Sequence, residues 1–186
     1  EDEAAGIPKA TLLTIPMVIH IIHNGDAIGT NENITTAQAL SQVQVLNEDF
    51  RRMLGTPGYN THPDGADIEI EFCLASVDPN GQPTNGINRV QTTHGQFGMS
   101  NDIHTSSAGG ADDWPNDDYL NIWVCDISSG LLGYATPPSF FIGDGDGLVI
   151  GYRYFGSTGV VQAPYNKGRT ATHEIGHWLN LDHVWG

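Results

Sequence analysis

Two spacings of apolar residues alternate along this chain, and each predicts a different kind of element. Residues 11–23, TLLTIPMVIHIIH, are apolar and β-branched almost throughout, which predicts a central strand. Residues 36–54 place Leu40, Val43, Leu46 and Phe50 at helical spacing behind a cap at Thr35 or Thr36, so an amphipathic helix is expected there. Residues 55–66, GTPGYNTHPDGA, read as loop. Further strands are expected at 67–76, 87–91, 119–125 and 147–152, and a last helix over about 169–180. Between two of these strands, residues 92–118 form a long irregular stretch rich in Gly, Ser and Asp; loops of that length are usually functional or mobile. Strands mixed with two helices predict a sheet backed by helices, an α+β arrangement.

The length of 186 residues suits one domain with a proper core. A hydrophobic fraction of 39% beside 23 Gly and 10 Pro describes a globular, loop-rich chain. With 22 acidic against 7 basic residues the formal charge is −15, which repels nucleic acid and anionic membranes and leaves a solvated acidic surface open to cationic peptides. No apolar run is long enough to span a bilayer. The first residues, EDEAAGIPKA, lack the basic-then-apolar pattern of a signal peptide, so a cytosolic protein or an already trimmed mature form is expected. Cys73 and Cys125 each fall in a strand-like run, IEIEFCLA and YLNIWVC. If those strands are neighbours a single disulfide bond is expected; otherwise both are free thiols.

The informative chemistry lies in HEIGHWLNLDH, residues 173–183. On a helix, His173 and His177 stand about 40° apart and one turn up the axis, so two imidazoles on one face can grip a single Zn²⁺. Glu174, rotated by about 100°, stays off the metal and can act on water there. Ala171, Ile175, Trp178 and Leu179 form the opposite, packing face. A continuous helix cannot aim His183 at the same metal, so the chain must turn back; Asn180 stands where a left-handed residue would end the helix. From this composition an H-E-x-x-H pattern arises by accident roughly once in a hundred chains, and with His183 in place under about once in a thousand.

The pattern resembles that of the metzincin metallopeptidases, H-E-x-x-H-x-x-G-x-x-H, and within that clan the pappalysin or cytophagalysin family with its ulilysin-like secreted enzymes. GRTATHEIGHWLNLDHVWG, EFCLASVDPNG with GINRV, YLNIWVC with GLLGYA, and DGLVIGY are similar to segments of that family in its order, so the resemblance covers most of residues 11–186. It implies a secreted zinc endopeptidase made as a zymogen and acting on protein or peptide substrates. His173, His177 and His183 would be zinc ligands and Glu174 the general base. The implied fold is a metzincin-type N-terminal subdomain: a twisted mixed sheet with a backing helix and an active-site helix. Asn180 stands where the family has Gly. The family's Met-turn and C-terminal subdomain, with any Ca²⁺ sites they carry, should follow His183, yet the chain ends at Gly186 and Met17, Met53 and Met99 all lie upstream. Residues 1–186 are therefore expected to be a catalytic domain incomplete at its C-terminus. Oligomeric state is not legible. The strand at 147–152 is the expected partner for an extended substrate.

Other candidates carry less. His20 and His23 are expected to play a structural role, because their spacing does not suit chelation from a strand. His94, His104, Asp102, Asp112, Asp113, Asp117 and Asp118 crowd the long loop and offer calcium ligands, though solvated loop acids are the expected reading. GDGDG at 143–147 fails the EF-hand pattern at Leu148 and reads as a turn. Asn33-Ile34-Thr35 matches a glycosylation acceptor. The rival function is a secreted binding or adhesion domain keeping zinc for structure, against which Glu174 argues. A thermolysin-like site needs a downstream Glu, and none follows Glu174.

Overall fold

A computed structural model describes residues 12–128, 130–138 and 145–183. Its elements are β1 (Leu13–His23), α1 (Thr36–Phe50), β2 (Ile70–Leu74), β3 (Ile87–Gln91), β4 (Leu120–Cys125), β5 (Gly133–Ala135), β6 (Gly147–Gly151) and α2 (Arg169–Trp178). The strands form one sheet in the order β2-β1-β4-β6-β5, and β3 continues beside β1 where β2 leaves off. All pairings are parallel except that of β5, an antiparallel strand beside β6.

Parallel strands need cover on both faces, and this sheet has it. Met17, Ile19, Ile21, Ile122, Val124 and Ile150 face the two helices, meeting Leu46 and Phe50 of α1 and Ala171 and Ile175 of α2. The other face, with Ile22, Trp123, Cys125 and Val149, packs on Phe97, Ile103 and Ala111 of the long irregular segment. That segment is therefore a lid on the second face of the sheet, tied down where Trp123 Nε1 donates to the carbonyl of Ala111 at 2.8 Å. Its length follows from the area it covers.

Three points of the sequence reading are decided by the fold. Of the α1 residues expected on the apolar face, Leu46 and Phe50 are buried and Val43 packs against the core, but Leu40 is 50% exposed, and Gln38, Ala39, Gln42 and Val45 face inward as well. Two glutamines in a core defeat an apolar-spacing rule because their amides are satisfied elsewhere in the fold. The cap itself falls as expected, Thr35 Oγ1 accepting from the Gln38 amide at 3.0 Å. Cys73 and Cys125 are both free thiols. Cys73 pairs with Pro16 on one side of β1, whereas Cys125 closes β4 on the other side, so the two stand roughly 20 Å apart, far beyond disulfide reach. Asn33 is buried and fully engaged, its Nδ2 donating to the Asp26 carbonyl and its Oδ1 accepting from Arg89, both at 2.6 Å, which leaves no room for a glycan.

Candidate metal centre

Helix α2 is held by a loop that α1 shapes. Gln38 Nε2 donates to the carbonyls of Tyr152 and Phe155 at 3.1 and 2.9 Å, and its Oε1 accepts from the Val160 amide at 3.0 Å. Gln42 accepts from the Gly156 amide at 2.7 Å and donates to the carbonyl of Gly168, the residue before α2, at 3.0 Å. Gly168 is left-handed at φ +69°, and a Cβ there would press on Gln42 and Val45 at 3.1 Å. Beyond it α2 turns Ala171 and Ile175, both fully buried, toward the sheet, with Trp178 and Leu179 packed beside them. The packing face expected from the sequence is the one observed.

The helix stops where Asn180 adopts φ +67°. The amide of Asn180 donates to the His177 carbonyl at 2.8 Å and that of Leu181 to the Gly176 carbonyl at 2.9 Å, the paired bonds of a Schellman cap. A left-handed conformation costs most L-residues roughly 1–2 kcal/mol, and Asn is among those that adopt it most readily. The reversal brings His183 back against the helix.

The result is a triangle of three imidazole nitrogens. Nε2 of His177 lies 3.1 Å from Nε2 of His173 and 3.1 Å from that of His183, and the third side is 3.2 Å. Nitrogens bound at about 2.0–2.1 Å to one tetrahedral zinc would stand roughly 3.3 Å apart, so the observed spacing fits such an ion. His177 Nδ1 lies 2.8 Å from the Leu181 carbonyl. As a donor to that oxygen, Nδ1 keeps the proton and leaves Nε2 its lone pair, the tautomer a metal ligand needs. Among the described residues this is the one group of His, Cys, Asp or Glu side chains whose ligand atoms converge on a single point. Burial, then the neighbouring His177 and His183, push the pKa of His173 below its ordinary value, which favours the unprotonated ring at that one residue.

Glu174 lies beside the triangle and is buried, which raises its pKa above the usual carboxylate range, with His177 opposing the rise. It lines an open cleft of about 550 Å³ together with Leu131, Leu132, Gly133, Tyr165, His173 and His183. The cleft corrects the expected substrate strand. β6 is interior, paired on both sides, and the edge is β5, which spacing did not reveal because it is only three residues long. Gly133 starts that edge strand. A Cβ there would stand 2.6 Å from Ile150 Cδ1 and 2.9 Å from the Val149 carbonyl, so glycine lets β5 lie this close against β6, beside Glu174.

His20, Asp112 and Asp113 are built into the scaffold. His20 is fully buried, with Nε2 3.0 Å from Asn121 Oδ1 and Nδ1 3.0 Å from Asn88 Nδ2, and it stacks on Trp123. Asp112 accepts from the Ser106 amide and hydroxyl at 2.7 Å, closing a local turn, and Asp113 accepts from the Gly145 amide at 2.6 Å, tying the long segment to the approach to β6. The expected turn at 143–147 lies partly outside the described residues.

No family model matches the chain. Among solved structures, mature mirolysin of Tannerella forsythia in complex with a cleaved peptide matches at 45% identity with a TM-score of 0.88, covering 96% of this chain and 67% of that one. Mirolysin in complex with a compound matches at 46% identity and a TM-score of 0.87, covering 96% and 66%. An extracellular metalloprotease of Colletotrichum graminicola is 27% identical over 194 residues, spanning all of this chain and 58% of its own length. The chain thus spans less than two thirds of the curated relatives it matches. Sheet order, helix placement and histidine triangle together fall within the N-terminal subdomain of a metzincin metallopeptidase. The chain belongs to the pappalysin family of that clan, in which mirolysin also falls, and membership implies a bound metal.

Proposed function

We propose that this protein is a secreted zinc-dependent endopeptidase, with residues 1–186 contributing to its catalytic domain, His173, His177 and His183 as the zinc ligands and Glu174 as the general base. The reading rests on one observation above all: three Nε2 atoms within 3.2 Å of one another beside a buried carboxylate and an open cleft. Zinc is favoured over other divalent ions by an all-imidazole donor set with room for a further ligand on the cleft side. Secretion is supported by the naming of relatives as extracellular metalloproteases, and peptide substrates by mirolysin's complex with a cleaved peptide.

When bound, zinc would supply a Lewis acid that lowers the pKa of water toward neutrality and polarises a carbonyl. The protein's own groups do the rest. The outer edge of β5 offers backbone hydrogen bonds to an extended peptide lying along the cleft. Glu174 takes a proton from the attacking water and delivers it to the leaving amine; its raised pKa brings it closer to the range in which one group performs both transfers. The Leu181 carbonyl holds His177 in its metal-facing tautomer.

The test is metal analysis of the purified protein together with cleavage of a mixed peptide library. One equivalent of zinc and endoproteolytic products are expected. Glu174→Ala should keep the zinc and lose turnover by roughly 10²–10⁴-fold. An active Ala variant would remove Glu174 from its role, and a metal-free wild type would end the proposal.

A further inference from the structure

The cleft beside the metal triangle has a wall whose charge is opposite to that of the protein around it. The chain as a whole carries a formal charge of −15. Of the described residues lining the cleft, Glu174 is the one carboxylate, and it is buried beside the triangle. The loop that runs from Pro164 to Arg169 forms the wall in front of α2 and contains no acidic residue. Its two cations are Lys167 and Arg169.

These two differ in what they can offer a substrate. Arg169 is ion-paired with Asp49. The other described arginines are engaged likewise: Arg51 by Asp67 and Glu71, Arg153 by Asp126, Arg89 by Asn33, and Arg52 by the carbonyls of Asn60 and His62. Lys167 is the exception. It is exposed, and its ammonium has no ion pair or hydrogen bond among the described residues. Glu48 borders a neighbouring hollow that Lys167 also lines, but Glu48 is buried and accepts from Gln44 Nε2 at 2.7 Å. A chain with 22 acidic and 7 basic residues thus keeps an uncommitted cation on the wall of its cleft.

The base of that side chain is fixed although its head is not. The Tyr165 amide donates to the Gln162 carbonyl at 3.0 Å, and the carbonyl of Gly168, next after the lysine, accepts from Gln42 at 3.0 Å. The backbone around Lys167 is therefore anchored on both sides, and a flexible stem carries the ammonium from it. Across the cleft, the edge strand β5 begins at Gly133. A peptide paired with that edge is extended, so its side chains alternate, one set turning into the cleft and the other away. An acidic side chain of the inward set meets the one wall that can answer its charge.

We propose that Lys167 is a specificity-determining residue, selecting peptide substrates that place an aspartate or glutamate against the loop wall of the cleft. The inference rests on the zinc-peptidase reading above.

The zinc-loaded full-length enzyme, given a mixed peptide library with its products sequenced, tests this. Asp and Glu should be enriched at one position near the scissile bond, or at positions two apart. Peptides of the best-cleaved sequence are then made with Glu, Gln or Lys at that position. The wild type should favour Glu over Gln by about three- to fivefold in kcat/KM, chiefly through KM, and the preference should fade in about 1 M salt. Lys167→Gln should bring the two peptides to near parity, and Lys167→Glu should favour the Lys peptide. Each ratio is read within one enzyme, so a general loss of activity cancels. Binding of the intact peptides to the Glu174→Ala variant, followed by fluorescence anisotropy, should show the same order without turnover. No acidic enrichment, enrichment spread evenly over all positions, or a Glu-to-Gln ratio that Lys167→Gln leaves unchanged overturns the proposal while the peptidase reading stands. A wild type that cleaves no peptide overturns that reading, and this inference with it.

Discussion

Two groups of histidines in this molecule obey opposite rules. His20, in the middle of β1, has a partner of the right kind at each ring nitrogen: Asn121 Oδ1 accepts from Nε2, and Asn88 Nδ2 donates to Nδ1. Its hydrogen bonding is complete within the protein, and burial pushes its pKa down to about 4, against the smaller opposing effect of the Asn121 bond. In the α2 triangle the Nε2 atoms of His173, His177 and His183 face one another. With Nδ1 of His177 donating to Leu181, its Nε2 has a lone pair to offer, and three inward lone pairs repel unless a cation lies between them. The two groups differ in burial too, His20 being fully buried while His173 and His183 are exposed and His177 is half-buried, but it is what the ring nitrogens face that marks one group as structural and the other as ligating.

The contrast can be broken most sharply by removing one nitrogen from each group. His183→Ala should weaken metal binding by at least about a hundredfold and abolish hydrolysis with little change in the stability of the metal-free fold, because His183 is exposed. Isothermal titration with zinc and urea unfolding of the metal-free protein check the two halves; a variant that still binds zinc tightly would place the third ligand elsewhere.

The next effect belongs to His20 and to pH. Its folded pKa of about 4 lies below the ordinary value of 6.5, so between the two the unfolded chain takes up a proton that the fold excludes. The stability held by neutral His20 is thus complete above about pH 6.5 and falls away as the pH drops toward 4, by on the order of 3 kcal/mol. Urea unfolding with chelator present, at pH 7 and pH 4, should show that loss in the wild type and a markedly smaller one in His20→Gln. An equal loss in both would assign the acid sensitivity to other groups.

The smallest effect sharpens the comparison at its hinge. Asn180→Ala should lose about 1 kcal/mol of stability, since Ala resists the left-handed conformation, and should loosen zinc binding as His183 loses its fixed approach. Asn180→Gly should match or slightly exceed the wild type in both. Calorimetry of the three proteins orders them, and an Ala variant as stable as the Gly variant would remove the conformational argument.

Much of this was written in the local sequence. The helical spacing of His173 and His177, the packing face at Ala171 and Ile175, the turn at Asn180 and the strand at β1 all depend on neighbours within a few residues, where periodicity and backbone preference act directly. What the linear pattern did not reveal is what distant segments do to each other. Gln38 and Gln42 lie off the apolar spacing and yet are core residues, because backbone groups more than a hundred residues away satisfy them. The stripe of Gln38, Gln42 and Asp49 at helical spacing was the visible signal, and only the partner loop gives it meaning. Cys73 and Cys125 were open to bridging until the strand order put β1 between them. β6 read as an edge and is interior because a three-residue strand, too short to show a period, pairs outside it. The chain by itself decided which residues can bind a metal; the fold decided which wall of the cleft a substrate meets, since strand order is set by contacts whose partners no local window contains.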